Sequence, residues 1–102
     1  MQQLVIQFPL ETPDPDGAEF DALIALEANL ERMAGERFKV DGHDYGAGEV
    51  NIFIHTDDAI ATLNLIRNAL PTDRQWRAGF RDFDSEDYEP LWPSALASFS
   101  VQ

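Results

Sequence analysis

Two histidines, a crowd of carboxylates and three closely spaced glycines are the residues of this chain whose types could do chemistry. His43 stands among Asp41, Asp44 and Glu49, and His55 precedes Asp57 and Asp58. Imidazole nitrogens and carboxylate oxygens are ligands for a zinc-type ion, which needs three or four of them converging at about 2.0–2.2 Å. If a hairpin turns at residues 46–48, His43 faces roughly Asn51 and His55 lies four residues further along. At 3.3 Å per residue the two imidazoles then stand ~13 Å apart, too far to share an ion. No metal and no cofactor are expected. The bland reading is a solvated loop histidine and a strand-end histidine beside a helix cap.

Asp82, Asp84, Glu86, Asp87 and Glu89 place carboxylates at near-alternate positions, as a calcium loop does. Counted from Asp82, the sixth position is Asp87, where an EF-hand needs glycine. The twelfth is Pro93, where a bidentate glutamate belongs. The EF-hand reading fails, which leaves loose calcium binding or a solvated charged connection. Gly42, Gly46 and Gly48 resemble a phosphate cradle in composition alone, because Asp41, Asp44 and Glu49 would repel a phosphate. No serine sits in a nucleophile elbow, and either histidine is the candidate general base of an enzymatic reading. No motif completes an active site, so an enzyme is not the preferred reading. Tyr88, Leu91 and Trp92 lie beside Pro90 and Pro93. Stiffened aromatics of this kind suit a binding hot spot or a segment that folds back over an open sheet face.

The elements that must position these residues follow from patterning. Residues 4–8 (Leu-Val-Ile-Gln-Phe) are short and nearly continuously apolar, as a central strand is. The connection Thr12-Pro13-Asp14-Pro15-Asp16-Gly17 excludes helix there, and Asp16 with Glu19 resembles a capping box. Phe20, Leu23, Leu26, Leu30 and Met33 then recur at helical spacing, widened by Ile24, which predicts a helix over 17–34 that stops at Gly35. Arg37 to Val40 begins a second strand and residues 49–56 form a third. Its Val50, Ile52 and Ile54 face one way, with Asn51, Phe53 and His55 facing the other. The turn between them is either Asp41-Gly42 or Gly46-Ala47-Gly48.

Thr56 or Asp57 is the expected cap of a second helix, with Ile60, Leu63, Ile66 and Leu70 as its apolar stripe and Pro71 as its stop. Residues 75–83 alternate as a fourth strand that carries Arg77 and Arg81 on one side. The segment 95–101 is a candidate for one more short strand. The order β-α-β-β-α-β predicts an α+β fold: a ferredoxin-like plait, an antiparallel sheet with both helices on one face and a short C-terminal extension. Phe53, His55, Arg77 and Arg81 would then show on the other face. All 102 residues are read as one domain, with 82–102 as its acidic connection and extension.

The stretch Asp41-Gly42-His43-Asp44-Tyr45-Gly46-Ala47-Gly48-Glu49-Val50-Asn51-Ile52-Phe53-Ile54 resembles a pattern in small bacterial ferredoxin-like proteins of uncharacterised function. It covers about a seventh of the chain. The resemblance implies the plait and carries no catalytic residue with it.

Composition bounds the partners. Nineteen acidic side chains oppose seven basic ones, a formal charge of -12 with pI near 4.2. Such a surface repels phosphate backbones and anionic lipid, so nucleic acid and membrane are not expected partners. There is no cysteine, hence no disulfide, thiolate nucleophile or iron–sulfur cluster. The first residues lack the order of a secretion signal, no apolar run is long enough to span a bilayer, and a cytoplasmic location is the expectation.

The signs are segregated. The first 31 residues hold seven acids and no base, residues 40–66 five acids and no Lys or Arg, and five more acids follow Arg81. Arg67, Arg74, Arg77 and Arg81 gather within fifteen residues. Segregated charge steers an encounter with a basic protein. The expected function is a small acidic, non-enzymatic protein-binding module of the immunity-inhibitor kind, touching its partner through Asp41, Asp44, Glu49, Asp82, Asp84, Asp87, Tyr88 and Trp92. The alternative is a small-molecule-sensing or catalytic ferredoxin-like domain, dimeric through its open sheet face.

Overall fold

A computed structural model of the chain describes residues 1–10, 17–46, 48–72 and 74–101. It is α+β: a five-stranded antiparallel sheet carrying two helices. The central strand is β1 (Gln2–Pro9), paired with β3 (Glu49–Thr56) on one side and β4 (Arg77–Asp82) on the other. Outside these lie β2 (Lys39–Gly46) and β5 (Glu89–Trp92), so the order is β2-β3-β1-β4-β5. Residues 4–8 of β1 are all fully buried. A strand covered on both faces has no need to alternate, which explains its continuous apolar run.

Leu4, Ile6 and Phe8 point from β1 into the main core, where they meet Val50, Ile52 and Ile54 of β3 and Ala78 of β4. Helix α1 (Ala18–Ala34) contributes Leu23, Leu30 and Ala34, and helix α2 (Ala59–Ile66) adds Ala59, Leu63 and Ile66. Both helices therefore cover the same sheet face. Phe20, Leu26 and Met33 of the predicted stripe pack on its margin. Gly17 and Gly35 flank α1 with positive φ, 69° and 52°, a conformation that glycine takes without a Cβ penalty. The capping role expected of Asp16 falls outside the described residues.

One open alternative is decided and four expectations are corrected. The Asp41-Gly42 alternative for the hairpin turn is a bulge within β2, where the register slips between Val40 and Gly42 and Gly42 takes φ 136°. The strand continues to Gly46, and His43 pairs with Ile52 rather than Asn51. A one-residue change of register turns a side chain to the opposite face.

The cap of α2 is Asp58, not Thr56 or Asp57; its Oδ1 accepts from the Ala61 N–H at 3.1 Å. In the predicted stripe, Ile60 is 55% exposed while Ala59 and Thr62 are buried. Thr62 is tolerated there because its hydroxyl meets that of Thr56 at 2.7 Å. The extra strand is β5, at residues 89–92, and the segment 95–101 forms none. Pro90 reads as a breaker in sequence, but an edge strand leaves one side of its backbone unpaired and tolerates the missing donor.

Asp58→Ala removes a capping acceptor and should cost about 1 kcal/mol. In a domain of this size that lowers Tm by roughly 4–8 °C, measurable by thermal melting, and an unchanged Tm would deny the cap any weight.

Candidate functional site

The expected contact residues divide between the two sides and two edges of the sheet. On the face away from the helices, Asp44 accepts from Asn51 Nδ2 at 2.9 Å, and Glu49 meets Arg77 Nη2 at 2.8 Å. Asp41 lies 3.6 Å from His55 Nε2 on the same face. Asp82 points to the helix side, where it accepts from Gln2 Nε2 at 3.2 Å. The other end of that amide, Gln2 Oε1, takes the Ala59 N–H at the start of α2. Trp92 also lies on the helix side. It stacks on Trp76 with centroids 5.5 Å apart, and the Arg67 guanidinium sits 4.0 Å from its ring centre. Tyr88 turns the other way, donating to Gln3 Oε1 at 2.7 Å. The acids of β2 and β3 are therefore one group and the 82–89 segment another, at opposite edges of the sheet.

The two histidines stand on opposite faces. His43 Nδ1 meets Glu27 of α1 at 2.9 Å on the helix side, and His55 packs edge-on against Phe83 at 4.9 Å. Among the described residues, no group of three or more His, Asp or Glu side chains could hold a metal ion. His55 and Phe83 line a cleft of about 600 Å³ with Met1, Phe38 and Asp57.

The face away from the helices is partly closed by the end of the chain. Phe99 is buried against Gly79 of β4 so closely that a Cβ on that glycine would lie 2.4 Å from the Phe99 ring carbon Cγ. Ser100 gives its carbonyl to Gln7 Nε2 at 3.0 Å, and the same amide donates to Asn51 Oδ1 at 2.9 Å. Gln7 and Asn51 are each only 1% exposed. Burial of that depth demands partners, and the chain Asp44–Asn51–Gln7–Ser100 supplies them. Phe53, His55, Arg77 and Arg81 occupy this face, half-buried.

The arginines serve the fold. Arg81 Nη1 reaches the Ser85 carbonyl at 3.0 Å and lies 3.4 and 3.5 Å from those of Asp82 and Phe83; its Nε donates to Gln3. The carbonyls that a calcium loop would aim at an ion converge on this guanidinium instead. Arg74 donates to the Pro9 carbonyl, Arg37 to that of Met33, and Arg67 covers an indole. Arg77–Glu49 is the one arginine–carboxylate ion pair among the described residues. Asp84, Glu86, Asp87 and Glu89 are exposed, and among the described residues no basic group pairs with them.

Sequence reasoning missed two working parts here. The Arg77/Arg81 alternation was visible, but nothing in spacing shows that Arg81 organises the acidic turn. Gly79 likewise gives no local signal, since its reason for being glycine is a side chain twenty residues away. Compared with known proteins, the chain matches no family model, no curated protein and no solved structure.

Proposed function

We propose that the chain is a small acidic binding module that docks on a basic protein, as an immunity-type inhibitor does, and that its fold is a ferredoxin-like plait with a fifth strand added. The wiring supports the second part. α1 links β1 to β2 with β3 between them, and α2 links β3 to β4 with β1 between them. That is the split β-α-β arrangement of a plait. β5 then lengthens the sheet beyond the four strands such a fold needs.

One observation carries the first part: among the described residues the carboxylates of the 82–89 turn form no ion pair, and the guanidinium of Arg81 is engaged by the backbone carbonyls of that turn. A preordered charged turn loses little freedom on docking, and unneutralised charge steers encounter with the opposite sign. A second copy, the other partner considered, would have to use the β2–β3 half of the open face, because Phe99 and Ser100 occupy the part over β4 and β1.

The test is affinity capture from the native cell extract at low and high salt. It uses the chain itself and a folded variant carrying Asp84→Asn, Glu86→Gln and Asp87→Asn. Stoichiometric retention of one basic protein, lost at high salt and lost in the variant, is the expected result. Equal retention by the variant, or a partner indifferent to salt, would remove the acidic turn from the interface. A chain that captures nothing yet melts higher with a metabolite would favour the sensing alternative.

A further inference from the structure

Where β1 stops and β4 begins lies a surface cleft, and the charged side chains that line it among the described residues are arginines. Pro9, Arg74, Trp76, Arg77, Trp92 and Leu96 help to line this cleft of about 530 Å³, a size that suits a small ligand. The chain has 19 acidic side chains, yet among the described residues no carboxylate lines this cleft. Its walls include both of the chain's tryptophans, nearly parallel at 22°. The Arg67 guanidinium over Trp92 helps to fix the orientation of that ring.

Arg74 is half-buried and offers a planar fork of five N–H donors. Among the described residues a single protein acceptor, the Pro9 carbonyl at 3.1 Å, meets that fork. Its Nε is buried with no partner among the described residues. A buried donor without an acceptor is unfavourable, so the guanidinium keeps hydrogen-bonding capacity that its partners among the described residues do not use. Arg77 adds a second guanidinium, partly neutralised by Glu49, which leaves Arg74 as the main anchor.

We propose that this cleft binds a small planar aromatic monoanion, its carboxylate on the Arg74 fork and its ring against the tryptophans. The field of a chain charged -12 disfavours a polyanion such as phosphate, which could exploit the arginines alone. A ring with one carboxylate gains from both halves of the site, a forked hydrogen bond and an indole contact. This assignment is independent of the acidic turn, which uses other residues at another place.

The test titrates the isotope-labelled full chain with 2-naphthoate, neutral 2-naphthamide and inorganic phosphate, following the indole N–H resonances of Trp76 and Trp92. Expected are saturable shifts of both resonances with 2-naphthoate, binding weaker by about tenfold or more for the amide, and no saturation with phosphate. Arg74→Gln should lower the naphthoate affinity by a similar factor. The proposal falls if neither indole resonance saturates, if acid and amide bind equally, if phosphate saturates the same resonances, or if a folded Arg74→Gln protein keeps its affinity. The acid–amide comparison needs only the wild-type chain, so it decides the matter even if the variant does not fold.

Discussion

Gly79→Ala should lower the stability of this domain by about 2–4 kcal/mol, and with it Tm by roughly 10 °C or more. The position is ordinary extended strand, so the penalty comes from crowding rather than from backbone conformation. The new methyl carbon would lie 2.4 Å from Cγ and 3.0 Å from Cβ of Phe99, atoms at the root of that side chain. Rotation about the side-chain bonds cannot clear them both; the backbone of residue 99 must retreat. Retreat costs Phe99 its burial and its ring contact with Tyr88, and it stretches the hydrogen bond from Gln7 to Ser100. A double-mutant cycle with Phe99→Ala isolates the effect. Once the ring is gone, Gly79→Ala should cost under about 1 kcal/mol. Equal costs of Gly79→Ala in both backgrounds would show that the chain end does not rest on the sheet as described.

Arg81→Met, which keeps the apolar stem and removes the guanidinium, should cost about 2–3 kcal/mol in urea unfolding. The Ser85 carbonyl and the Gln3 amide oxygen lose a charged donor, although Tyr88 still serves Gln3. The change also deletes a positive charge from the neighbourhood of Asp82, Asp84, Glu86, Asp87 and Glu89. Part of the loss should therefore return as salt rises to about 0.15 M, because screening weakens repulsion between exposed carboxylates. Hydrogen exchange adds a local readout, with the Ser85 amide, bonded to the Asp82 carbonyl, exchanging faster in the variant. A midpoint unchanged at both salt concentrations would mean that the turn holds its shape without the arginine.

These two residues also mark the limit of what the amino-acid order discloses. The spacing of Leu23 and Leu30 was enough to place α1, and the alternation from Val50 to Ile54 placed β3 with its core face correct. Both signals are local: a side chain and its neighbours one turn or two residues away share one environment. Non-local choices were out of reach. Whether Asp41-Gly42 turns the chain or bulges it depends on how β2 aligns with β3, and that alignment put His43 beside Glu27. Ile60 carries the apolar period yet faces solvent, since α2 is only eight residues long and the sheet decides which side it buries. For the candidate site, the excess of acid was legible as a sum. The split of Asp41, Asp44 and Glu49 from the 82–89 turn needed the strand order.

The two margins of the sheet bear on how this molecule can meet others at all. A neighbour that adds a strand needs a flat, regular row of free amides and carbonyls. Along β2 the bulge at Asp41 and Gly42 breaks that row. Along β5 the row is four residues long, contains Pro90 and slips in register against β4. Backbone zipping is thereby discouraged at both margins. What remains for an incoming molecule to read is the pattern of side chains.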